Sequence, residues 1–124
     1  MDDFIYYNNN PYGYIDEDCV TRAITLASGD DYEEVSRKLY LLGELMDCDK
    51  LNVDCYKFLI ETVYGFPQVK FEHGITIGEF MEQHPYGIYL IRMSGHITCL
   101  IDGQLWDLWN AIEKEPTNIW FCGY

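Results

Sequence analysis

Gly95-His96-Ile97-Thr98-Cys99-Leu100-Ile101-Asp102-Gly103-Gln104-Leu105-Trp106-Asp107-Leu108-Trp109 is the stretch that decides the fold. At its centre, Asp102-Gly103 is a two-residue hairpin loop of the favoured kind, and the flanking residues are β-branched, aromatic or alternating. With that loop, Ile101 pairs with Gln104; counting outward, Thr98 pairs with Asp107 and His96 with Trp109. Side chains alternate between the faces of a strand, so His96, Thr98, Asp107 and Trp109 share one face. Asp107 then lies diagonally beside His96, within reach of an imidazole hydrogen bond, and Trp109 stands where it covers that bond from water. A one-residue bulge would break the alignment, so the deduction depends on register.

Working outward, residues 87–93 form a strand joined to His96 by the Ser94-Gly95 turn, and residues 118–122 form another. The second half therefore reads as an antiparallel meander. The first half reads as helices. Asp18 fits an N-cap ahead of Val20, Ala23, Ile24 and Ala27 at helical spacing, with Gly29 ending the run. Asp30 and Glu33 make a capping-box pattern for a helix over about 31–43, with Tyr32, Val35, Leu39 and Leu42 on its apolar face. A third helix spans about 53–64 and is closed by Gly65 and Pro67. Residues 69–72 form a short strand, and Thr76 with Glu79 opens a short helix that stops before Pro85. Residues 1–17 are an irregular lead-in of tyrosines and turn-forming Asn and Gly. The class is α+β, in one domain over residues 1–124.

Composition narrows the function. The 124 residues are 48% hydrophobic and 16% aromatic, ample for a packed core. A net charge of -13, from 21 acids against 8 Lys and Arg, opposes contact with nucleic-acid phosphate and with anionic membranes. No apolar run is long enough to span a bilayer, and the start lacks the basic and apolar parts of a signal peptide, so a cytoplasmic location is expected. Five cysteines, an odd count without a CxxC pair, are expected as reduced thiols. No spacing of Cys and His suggests zinc, and no motif implies a cofactor. Oligomeric state is open.

Cys19 heads the first helix, where the positive end of the dipole favours a thiolate. Asp16, Glu17 and Asp18 oppose it, because nearby carboxylates raise a thiol pKa. If an imidazolium at His96 outweighs them, the pair attacks a carbonyl carbon, with Asp107 orienting the ring and the Cys19 backbone N–H receiving the oxyanion. Each residue alone has a blander reading: Cys19 as a small buried hydrophobe, His96 as a core or surface residue, Asp107 as a solvated one. Cys55, Cys99 and Cys122 read as core. His73 and His84 fall in loops without a partner.

The segments DCVTRAI (18–24), ASGDDYEEV (27–35), TIGEFMEQHPYGIYL (76–90) and GHITCLIDGQLWDLW (95–109) together resemble a family of small papain-like proteins of bacteriophages and prophage-bearing bacterial genomes, described as cysteine peptidases. The resemblance runs from Asp18 onward. It implies a papain-like fold, with Cys19 as nucleophile, His96 as general base and acid, and Asp107 as orienting acid. Enzymes of that kind usually carry a Gln shortly before the nucleophile to complete the oxyanion hole. None precedes Cys19 here, which leaves Asn8, Asn9 and Asn10 as candidates. The function expected is a peptidase or amidase acting on a peptide or protein, with the acidic surface favouring a basic one. Two further readings are a non-catalytic interaction protein on the same frame, binding a host protein through acids, and acyl transfer to an amine.

Overall fold

Asp102 and Gly103 both hold positive φ, 46° and 80°, the backbone that a two-residue hairpin loop requires. In the computed structural model, which describes residues 3–13 and 17–124, this hairpin is the middle of a mixed α+β chain. The helices are α1 (Cys19–Ser28), α2 (Tyr32–Met46), α3 (Val53–Phe58, continued as a π-helical turn Leu59–Val63) and α4 (Ile77–Gln83). The strands are β1 (Phe4–Tyr6), β2 (Ile88–Met93), β3 (His96–Ile101), β4 (Gln104–Asp107) and β5 (Asn118–Gly123). They form one five-stranded sheet in the order β1-β4-β3-β2-β5.

The order corrects two expectations. The meander covers only β2, β3 and β4, because β5 crosses back to pair with β2. The lead-in is not wholly irregular: β1 pairs in parallel with β4, setting Phe4 opposite Leu105 and Tyr6 opposite Asp107. A hairpin strand with a bare outer edge exposes unpaired N–H and C=O groups, and β1 covers that edge. The β3–β4 register is Ile101 opposite Gln104, Leu100 opposite Leu105 and Cys99 opposite Trp106. The strand ends at Asp107, two residues short of Trp109.

Alternation along β2 divides the core. Leu90, with Ile97, Cys99 and Trp120, packs under Ile24 of α1, Leu39 of α2 and Leu59 beyond α3. Tyr89 and Ile91, with Leu100, Leu105 and Ile119, pack against Phe80 and Ile77 of α4. A strand buried on both sides has no polar face to show, which is why 88–93 reads nearly all apolar.

Local details differ from the sequence reading where side chains found better partners. Asp18 sits at the N-cap of α1 but makes no capping bond. Asp31, not Asp30, is the N-cap of α2, and Asp30 instead accepts from Lys38 and the Tyr64 hydroxyl. That helix continues past residue 43 to Met46. The third helix widens at Leu59, where the Tyr64 N–H reaches the Leu59 carbonyl, and both Leu59 and Ile60 become buried. Residues 69–72 form no strand; Gln68 makes a single bridge to Trp120. The Thr76–Glu79 capping box is present as read.

The cysteines require a further correction. Cys48 and Cys55 form a disulfide, their Cα atoms 6.0 Å apart where the turn after α2 meets α3. Cys19, Cys99 and Cys122 are free. No helix among the described residues is long and apolar enough to cross a membrane.

Candidate active site

α1 packs on one face of the sheet, and Cys19 at its start meets the end where β3 begins and β4 stops. His96 opens β3 after the Ser94-Gly95 turn, and Asp107 closes β4, so the two meet at one end of adjacent strands. Asp107 Oδ2 lies 2.6 Å from His96 Nε2. That leaves Nδ1 as the ring nitrogen for the Cys19 thiol, with which His96 also hydrogen-bonds. The Trp109 ring lies 4.4 Å from the imidazole, tilted by 37°, although Trp109 is outside the ladder. The structure therefore brings Cys19, His96 and Asp107 into one contiguous chain of contacts.

The electrostatics follow from that chain. Burial opposes ionisation of Cys19, but the hydrogen bond and charge of His96, the Ile97 backbone N–H and the Arg22 guanidinium outweigh it and hold the thiol below its ordinary value. Burial likewise disfavours the imidazolium of His96, yet Asp107 and Cys19 push its pKa up to about 9. Asp107 is 2% exposed, which opposes its charge, while His96, the Leu108 N–H and Arg22 hold its carboxyl below the usual range. The other free thiols move the opposite way. Burial pushes Cys122 up to about 12 and holds Cys99 well above its ordinary value. Cys19 alone among the free cysteines is set to ionise.

Arg22 is the residue that sequence reasoning missed. Its Nε donates to Asp18 Oδ1 at 2.7 Å and its Nη1 to Asp107 Oδ1 at 3.0 Å, all three side chains buried. Asp18 also accepts from the Tyr32 hydroxyl at 2.7 Å and from the Asn10 amide at 3.1 Å. The charge of Asp18 is thus directed at Arg22 rather than at the thiol. Glu17 is exposed, and Asp16, the third acid expected to oppose the thiolate, lies outside the described residues. The available signal was an Asp and an Arg four apart on a helix otherwise made of small and apolar residues.

The asparagines fold back on α1, to other partners than an oxyanion. The Asn9 amide donates to the Arg22 carbonyl at 3.0 Å, and that of Asn10 to Asp18 and to the Tyr32 hydroxyl. Asn8 Oδ1 accepts from the Asn10 backbone N–H. These bonds brace the turn that carries Asp18. His84 caps α4, its Nδ1 3.0 Å from the Phe80 carbonyl, and stands outside the site with His73.

Cys19 and His96 open onto a cleft of about 680 Å³. One wall is Tyr6, Leu108 and Trp109; the other is Leu51, Val53, Tyr56, Arg92 and Met93. A cleft of this size takes several residues of an extended peptide or a small ligand. No family model, curated protein or solved structure matches this chain.

Proposed function

We propose that the protein is a thiol-dependent hydrolase of papain-like design, a peptidase or amidase that works through an acyl-enzyme on Cys19. The observation that carries the reading is the run of contacts from Arg22 through Asp107 and His96 to a thiol whose pKa is lowered at the mouth of a cleft. Buried structural cysteines are not polarised in this way, as Cys99 and Cys122 illustrate.

In that mechanism the Cys19 thiolate attacks the substrate carbonyl carbon and a C–S bond forms. The oxyanion is received by the Cys19 backbone N–H at the helix head. As the tetrahedral species collapses, the C–N bond breaks and the His96 imidazolium gives its proton to the departing amine. Neutral His96 then takes a proton from water, whose oxygen attacks the thioester. The C–S bond breaks, the acid product leaves, and thiolate and imidazolium are restored. Asp107 holds Nε2 throughout, so the ring presents Nδ1 to sulfur and then to nitrogen. An amine in place of water would give acyl transfer.

The test is iodoacetamide labelling followed by peptide mass spectrometry. Cys19 is expected to alkylate ahead of Cys99 and Cys122, at least about 10-fold faster than after His96→Ala. Equal rates in the two proteins would remove the reading. A second reading, a binding protein on the same frame, draws on the net charge of -13 and on the bracing role of the Asn9 and Asn10 amides. It expects capture of a basic protein that survives Cys19→Ala.

A further inference from the structure

Strand order sets the order of side chains along the end of the sheet that carries the site. Trp109 lies beyond β4, His96 opens β3, and Arg92 is next to last in β2. In register, Arg92 stands opposite Ile97, the residue whose backbone N–H meets the Cys19 sulfur. The Tyr56 hydroxyl accepts from Arg92 and lies close enough to Cys19 to feel its charge. His96 must reach the departing amine, so the amine half of a substrate occupies the side of His96 and Trp109. The acyl half then runs the other way, against Tyr56 and Arg92.

The surroundings of Arg92 are unusual for so acidic a chain. With 21 acids against 8 Lys and Arg, carboxylates are plentiful, and Arg22, Arg37 and Lys38 each pair with at least one. Among the described residues, Arg92 is held by neutral oxygens only. Its Nη1 donates to Thr117 Oγ1 at 3.1 Å and to Asn118 Oδ1 at 3.0 Å, and the third acceptor is Tyr56. Among the described residues no carboxylate pairs with its guanidinium. The two bonds from Nη1 clamp one corner of the fork and leave its other N–H groups to Tyr56 and to the cleft. Arg22, the other guanidinium lining the cleft, already has its charge met by Asp18 and Asp107, and the His96 imidazolium is met by Asp107.

We propose that Arg92 is the specificity-determining residue of this cleft, binding the carboxylate of an acidic residue in the acyl half of a peptide substrate, close to the bond that Cys19 attacks. The proposal rests on the thiol chemistry argued above. A guanidinium fork matches a carboxylate with two parallel bonds, and a pre-clamped fork loses little freedom in making them. Val20, apolar and buried, lines the cleft on the same face of the sheet. The negative surface does not forbid this. Its field is screened within about 8 Å at physiological salt, and among the described residues lining the cleft Glu17 is the one carboxylate, set against Arg22, Arg92 and His96. The expected substrate is a peptide with an acidic residue at the acyl position in an otherwise neutral or basic segment.

The experiment uses peptide vinyl sulfones with Glu, Gln or Lys placed in turn at the first and second residues before the electrophile. Labelling rates at Cys19 are read by mass spectrometry, with iodoacetamide run in parallel on wild type and His96→Ala. At one of the two positions the Glu probe is expected to label wild type roughly 10- to 100-fold faster than the Gln probe. Arg92→Gln should bring that ratio to about one, and Arg92→Glu should turn preference toward Lys. Equal Glu and Gln rates in wild type, alongside iodoacetamide alkylation that depends on His96, would overturn the Arg92 proposal alone. Alkylation indifferent to His96 would overturn the hydrolase reading and this proposal with it. The wild-type ratio decides the matter even if a variant fails to fold.

Discussion

Asp107 serves two cations at once: Oδ2 faces His96, while Oδ1 accepts from Arg22 and from the Leu108 N–H. Its partners keep it charged despite burial, and that fixed charge is what lifts His96 to about 9. The linkage signs differ between the two. His96 binds its proton more tightly folded than unfolded, so its stabilisation is complete below 6.5 and is lost as pH rises through about 9. Asp107 contributes above its ordinary carboxyl range and loses that contribution as pH falls through its lowered value. For activity, the alkaline limb of kcat/KM is expected near pH 9, where the imidazolium is lost. Asp107→Asn should move that limb toward ordinary imidazole values and cut kcat/KM roughly 1000-fold or more. A pH–rate series on both proteins checks this, and an unmoved limb would count against the role of Asp107. Arg22 is less visible to kinetics than to stability: removing it takes a cation from two buried carboxylates, Asp18 and Asp107, at a cost of roughly 3–5 kcal/mol.

Among the elements, the turn between α2 and α3 carries a constraint that the sequence hid. Cys48 and Cys55 close a loop of sequence separation 7, and Leu51 and Val53 inside it belong to one wall of the cleft. An odd cysteine count with no CxxC argued for free thiols; two helix ends meeting in space overrode the arithmetic. Thiol titration in denaturant is expected to find three groups without reductant and five with it. Reduction should lower stability by about 2 kcal/mol, chiefly through the freer unfolded chain, and raise KM as the wall loosens. Denaturant melts with and without dithiothreitol test it. The hairpin is the opposite case. Its turn chemistry is local, so Asp102-Gly103 specified the register through Cys99 and Trp106 without help from the rest of the chain.

The molecule as a whole is organised by a sheet that two apolar clusters share, with Leu90 facing one and Tyr89 and Ile91 the other. Neither cluster can open without exposing the strands that seal its neighbour. Ile24→Ala on the α1 side and Phe80→Ala on the α4 side should therefore each cost roughly 3–4 kcal/mol. Both are expected to lower the midpoint of one common transition rather than split it. Calorimetry on the two variants distinguishes one transition from two. The order β1-β4-β3-β2-β5 also accounts for the cleft, because it lines up residues 6, 109, 96 and 92 along one end of the sheet.

Local chemistry alone determined much of this protein. Capping residues, turn glycines and strand alternation gave the α+β class, the β2–β4 hairpins and the proximity of His96 to Asp107, because each depends on neighbours within a dozen residues. Tertiary structure decided the rest. Where β5 returned, that β1 closed the edge of β4, and that Arg22 reached Asp107 all depend on surfaces distant in sequence. Such contacts form only when burying them together outweighs the local partner each residue would otherwise keep.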